Sequence, residues 1–108
     1  MANTFKLKTK ANVGVTTTSV YVVPSATTTV VIGVTLANTS GSSINVGVGI
    51  TRASTDDIHL MKNVPIPQGS SFEFMGGNKI VLETTDILTV KSDVNNSLDV
   101  ALTIMEIT

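Results

Sequence analysis

The stretch Ile44-Asn45-Val46-Gly47-Val48-Gly49-Ile50-Thr51 alternates without a break. Ile44, Val46, Val48 and Ile50 fall on one side, and Asn45, Gly47, Gly49 and Thr51 on the other. A period of two, carried by β-branched residues, is the signature of a strand with one buried face. The run before it, Thr29-Val30-Val31-Ile32-Gly33-Val34-Thr35-Leu36, reads the same way. Val30, Ile32, Val34 and Leu36 are expected inward, with Val31, Gly33, Thr35 and Ala37 outward. The linking segment Asn38-Thr39-Ser40-Gly41-Ser42-Ser43 has loop composition, so the two runs are expected to form a hairpin.

Working outward, short alternating runs recur, separated by turn residues. Ser19 to Val23 is a strand stopped by Pro24, and Ile58 to Lys62 is another. Pro65-Ile66-Pro67-Gln68-Gly69 reads as a loop, because paired prolines remove ladder donors. Ser71 to Met75, Lys79 to Leu82, and Ile87 to Lys91 follow, with Gly76-Gly77-Asn78 and Thr84-Thr85-Asp86 as the turns between them. Asp93-Val94-Asn95-Asn96 turns the chain into Leu98 to Ile107, where Leu98, Val100, Leu102 and Ile104 face the core. No segment shows a 3.6-residue period. The expected fold is all-β: a single antiparallel β-sandwich or jelly roll of about eight strands, with residues 1–108 forming one domain.

Phe5, Leu7 and Thr9 alternate with Lys6, Lys8 and Lys10. Two readings stay open for residues 1–12. One is an edge strand guarded by lysines; the other is an N-terminal arm that becomes ordered on a neighbouring subunit.

Composition narrows the function classes. Only 14% of the 108 residues are charged and the net charge is −1. Nucleic-acid binding, which needs clustered Lys and Arg, is not expected. There is no run of about 18 apolar residues and no apolar leader, so no membrane span is expected and synthesis in the cytoplasm is. With no cysteine there is neither a disulfide framework nor thiolate chemistry. The single histidine, His59, has no His or Cys to share a zinc site, and no nucleophile-elbow pattern supports a Ser-His-Asp triad. Asp56-Asp57 and the Asp93 turn match no calcium loop. No acid pair can be placed in a cleft. An enzyme is therefore not expected, and neither a cofactor nor a metal is.

The outward set carries the candidate site. Gly33, Thr35, Ala37, Gly47, Gly49, Ala101 and Thr103 are small and uncharged. Glycine weakens a strand and commonly marks the close approach of another backbone. These residues, with Phe5 and Leu7 from the N-terminal segment, are the candidate subunit contact.

Several segments carry a resemblance. They are Tyr21-Val22-Val23-Pro24-Ser25, Val31 to Asn38, Leu60-Met61-Lys62-Asn63-Val64-Pro65-Ile66-Pro67, Val81 to Leu88, and Asp99-Val100 leading to Met105-Glu106-Ile107-Thr108. Together they resemble small β-sandwich virion structural proteins of tailed bacteriophages, particularly those of cyanobacteria and other aquatic bacteria. The resemblance covers about Asn3 to Thr108. It implies a non-enzymatic virion protein made in the host bacterial cytoplasm, which self-assembles or decorates the capsid as a cement protein. A neck, tail or fibre-associated position, or a host-glycan-binding module, is the alternative it leaves open. The implied partners are copies of the chain itself, as a homo-oligomer, and a major capsid or neck or tail protein. Many similar sequences have Gly before the Asp that opens the penultimate strand; here Thr85 stands there.

Overall fold

The computed structural model describes residues 2–52, 56–74 and 79–108. Nine strands form in chain order: β1 (Asn3–Val13), β2 (Thr18–Val22), β3 (Thr28–Asn38), β4 (Ile44–Thr51), β5 (Ile58–Ile66), β6 (Ser71–Phe74), β7 (Ile80–Leu82), β8 (Ile87–Ser92) and β9 (Leu98–Ile107). The first sheet has the order β1-β9-β3-β6, with β7 also paired to β3. The second runs β2-β8-β4-β5. All pairings are antiparallel. This interleaved order is that of a jelly roll, in which two sheets share one core.

The core is built from one face of each sheet. Val31, Val34, Leu36, Leu82, Leu98, Val100, Leu102 and Ile104 come from the first, and Tyr21, Ile44, Val46, Val48, Ile50, Met61, Ile66, Leu88 and Val90 from the second. Burying each of the larger aliphatic side chains is worth about 1.5–3 kcal/mol. The alternation read in β4 and β9 holds along both strands.

Three expectations about the strands are corrected. First, β3 and β4 are not a hairpin. They lie in different sheets, and the loop between them crosses the core edge. The Asn38 side chain fastens this loop: its amide donates to the carbonyls of Ser42 (2.8 Å) and Ile66 (2.9 Å), and its Oδ1 accepts from the Ser40 N–H (2.9 Å). Second, the inward set of β3 changes phase. A register shift between Val31 and Gly33 opposes Ile104 and Thr103, leaving Ile32 as the extra residue of a bulge. Before it Thr29 and Val31 face inward, and after it Val34 and Leu36 do. Val30 and Ile32 are only half-buried. Third, Pro65 and Ile66 belong to β5, which is an edge strand. An edge strand has one side free of ladder bonds, so it can hold a proline. The turn expected at Gly76-Gly77-Asn78 lies outside the described residues.

A polar clasp joins the sheets where β1 and β2 form one flank. The Tyr21 hydroxyl bonds to Thr29 Oγ1 (2.8 Å) and to the buried Glu106 carboxylate. Lys6 reaches the other carboxylate oxygen at 2.8 Å. The Lys8 ammonium lies 5.9 Å from the Tyr21 ring centroid, within cation–π range. Lys6, then Tyr21, holds the Glu106 carboxyl below its ordinary 4.5. Burial, then Glu106, pushes the Tyr21 phenol from 10.0 up to about 12.

Beside this clasp, where Val23 N–H donates to the Asp86 carbonyl (3.0 Å), the turn from β7 to β8 is closed by Asp86. Its N–H donates to the Glu83 carbonyl (3.0 Å), and its carboxylate accepts from the Glu83 N–H (2.9 Å) and from Arg52 (3.0 Å). Thr85 sits in this turn at φ 74°, in the left-handed region that glycine occupies at little cost.

Two outcomes follow from these features. Folding favours the ionised Glu106, so its stabilisation is complete above pH 4.5 and is lost as pH falls below it. Folding favours the protonated Tyr21, so that contribution holds below pH 10.0 and is lost as pH rises toward about 12. Thermal melts across pH should show a plateau between these limits, and Glu106→Gln should make the acid limb shallower. Separately, Thr85→Gly relieves a β-branched residue of a left-handed conformation. It should raise stability by about 1 kcal/mol in urea titration.

Candidate assembly surface

Cross-strand register sorts the outward residues into rows. Phe5 pairs with Met105, Met105 with Val30, and Val30 with Val81. Next comes Leu7-Thr103-Gly33, and then Thr9-Ala101-Thr35-Glu73. Residues paired across antiparallel strands project from the same face. The outer face of the first sheet is therefore graded, from an apolar row through small residues to a polar end with Glu73. Phe5 is 70% exposed, Leu7 64% and Val81 59%. Phe5 and Leu7 adjoin along β1, and the half-buried Met105 and Val30 link Phe5 to Val81 across the sheet, a contiguous apolar band rather than singly scattered side chains.

Seven of the sequence candidates meet here: Phe5, Leu7, Gly33, Thr35, Ala37, Ala101 and Thr103. Gly33 follows the β3 bulge, and a Cβ built on it touches nothing within 4 Å. Gly47 and Gly49 do not join them. They lie on β4, in the second sheet, and Gly49 is buried. A Cβ at Gly49 would stand 2.8 Å from the Ile58 carbonyl oxygen; at Gly47 it would stand 3.4 Å from the Met61 carbonyl oxygen. The irregular β5, which shifts register twice against β4, passes too close to Gly49 for a side chain, whereas a Cβ at Gly47 would make ordinary contact. Gly49 serves the chain's own packing, for a reason that lies in β5 and not in β4.

Val30, Met105 and Val81 were missed as members of the surface. The Val30 side chain turns outward only because of the bulge at Ile32, which a run of three apolar residues conceals. Phe72 is 39% exposed on the β6 edge; the Phe74 side chain lies outside the described residues. His59 is exposed on β5.

A groove of about 610 Å³ runs over the second sheet, lined among others by Asn45, Gly47, His59, Lys62 and Asp93. Among the described residues its lining includes no Phe, Tyr or Trp, and no group of three or more Asp, Glu or His side chains gathers as a metal site would require.

No family model and no curated protein matches the chain. Among solved structures it is similar to a chain from the structure of Bacillus endospore appendages, described as a novel family of disulfide-linked pili. The TM-score is 0.60 at 11% identity, covering 99% of this chain and 87% of that one. At this identity the likeness shows the fold, a jelly-roll sandwich. This chain has no cysteine, so it shares none of the disulfide chemistry in that description.

The glycine geometry separates the two surfaces experimentally. Gly49→Ala forces a methyl against a backbone carbonyl and should cost about 1–3 kcal/mol. Gly33→Ala enters open space and should change stability by less than about 0.5 kcal/mol. Chemical denaturation of the two variants checks both.

Proposed function

We propose that this protein is a non-enzymatic structural subunit that acts by assembling, as a virion component of a tailed bacteriophage that builds on or decorates the capsid. The observation that carries the reading is the row Phe5-Met105-Val30-Val81, which crosses four strands on a face where no other part of the described chain covers it. An apolar band of this kind is costly in free solution and stabilising against a protein surface. Small residues beside it, Gly33, Ala101 and Thr103, leave room for close approach. The pilus protein of similar fold supports self-assembly as a use of this architecture, and the sequence resemblance supports the virion setting.

A glycan-binding role draws less support. The groove over the second sheet has polar groups at its rim but lacks the aromatic platform that sugar rings stack on.

Sedimentation velocity over a range of concentrations should show reversible self-association. Phe5→Ser combined with Val81→Ser should weaken it about tenfold or more, since about 1.4 kcal/mol corresponds to a factor of ten and two buried apolar side chains exceed that. Immunogold labelling of phage particles should place the protein on the virion. A chain that remains monomeric at high concentration and is absent from particles would overturn the proposal.

A further inference from the structure

The first sheet has two free edges, and their main-chain groups can be assigned. Ala2 and Thr108 exchange both hydrogen bonds at 2.9 Å. Bonded and non-bonded pairs alternate along an antiparallel ladder. Counting from Ala2, the groups of Thr4, Lys6, Lys8 and Lys10 point to β9, and those of Asn3, Phe5, Leu7 and Thr9 point away from it. On the far side, the Asn38 N–H donates to the Ser70 carbonyl at 2.9 Å. The same counting turns Phe72 toward β3 and leaves Ser71 and Glu73 facing outward. Among the described residues, neither β1 nor β6 has a strand on that open side.

We propose that the partner is a second copy of this chain, joined head to tail by pairing the open edge of its β1 with the open edge of β6, so that the first sheet continues from subunit to subunit. This rests on the self-assembly reading above and specifies its geometry. Four observations converge on it. β1 and β6 run in opposite directions, since β1, β9, β3 and β6 alternate, so a copy displaced along the sheet meets its neighbour antiparallel. The parity also matches: the residues with free main-chain groups on both edges, Phe5 and Leu7 on one and Ser71 and Glu73 on the other, carry side chains on the same outer face. The two sheets therefore join without a flip.

Charge is complementary too. β1 holds Lys6, Lys8 and Lys10 and no acid, while β6 holds Glu73 and no base. Finally, β1 is poorly guarded for an edge strand. Lysines normally protect an edge, but Lys6 is drawn inward to Glu106 and Lys8 over Tyr21, leaving Phe5 and Leu7 at the rim. Pairing β1 with β1 instead would set two lysine rows against each other, which is unfavourable. A heterologous junction between different edges builds an open series rather than a closed dimer.

Two proline variants test this, because each removes only an outward donor. Leu7→Pro blocks the β1 edge and Glu73→Pro blocks the β6 edge, while the bonds to β9 and β3 remain. In sedimentation velocity each variant alone should be monomeric with unchanged strand content by circular dichroism. Their equimolar mixture should stop at a dimer. A small amount of Leu7→Pro should shorten wild-type assemblies. Independently of folding in the variants, hydrogen exchange on assembled wild type should slow the amides of Phe5, Leu7, Thr9, Ser71 and Glu73 at least tenfold. If the wild type associates while these amides stay fast, or folded Leu7→Pro associates equally well, the edge junction is wrong and the assembly reading stands. If the wild type does not associate at all, the assembly reading falls with it.

Discussion

A pleated strand can bury only every second side chain, and the remaining constraints on this molecule follow from that. Two sheets turn one face each toward a shared core filled by Leu36, Leu88, Leu102, Ile104 and their neighbours. The opposite faces are then left to whatever the sequence supplies. On the second sheet it supplies Gly47 and Gly49, and the chain's own β5 crowds Gly49. On the first sheet it supplies Phe5, Leu7, Val30, Val81 and Met105, and nothing in the described chain covers them.

The flank formed by β1 and β2 shows how a charged strand can close an apolar sandwich. Lys6, Lys8 and Lys10 stand on the same face as the fully buried Ile104, Leu102 and Val100, but at the rim where the second sheet ends. Their stems can lie along apolar surface while the ammonium groups reach Glu106, the Tyr21 ring and water. A bulge between Lys10 and Val13 then shifts β1 by one residue and sends Val13 into the core. Asn12 sits there at φ 58°, a conformation asparagine tolerates better than most residues, and its N–H is held by the Asp99 carboxylate at 3.0 Å. Glu106 is buried with hydrogen-bonding partners on both oxygens. Among the described residues every buried side-chain nitrogen and oxygen has a partner.

Legibility in the sequence followed the continuity of the pattern. β4 and β9 could be read residue by residue because polar and apolar positions alternate along their length. β3 could not, because Val30-Val31-Ile32 is apolar at every position and carries no phase; the bulge falls inside that run. The loop from Asn38 to Ser43 announces a change of direction, but composition does not say which sheet the chain enters next. Pro65 looked like an interruption because its tolerance depends on β5 having a free edge. The candidate surface was legible where it depends on alternation, in Phe5, Leu7, Thr35, Ala37, Ala101 and Thr103. It was misread at Gly49, whose reason lies in the Ile58 carbonyl, and it lacked Val30 and Val81, whose outward setting depends on the register of three strands.

The position of β9 also governs the order in which the molecule can form. It is the ninth strand to leave the ribosome, yet it lies between β1 and β3 in the first sheet. Until it arrives, those two eleven-residue strands have no ladder between them, and β1 has no neighbour at all. Closure of that sheet therefore links the two most distant parts of the sequence, and such non-local pairing folds slowly. During that interval Phe5 and Leu7 lack the strand that ties them into the sheet. Phe5 and Leu7 can therefore join the outer face of the first sheet only once the last strand is in place.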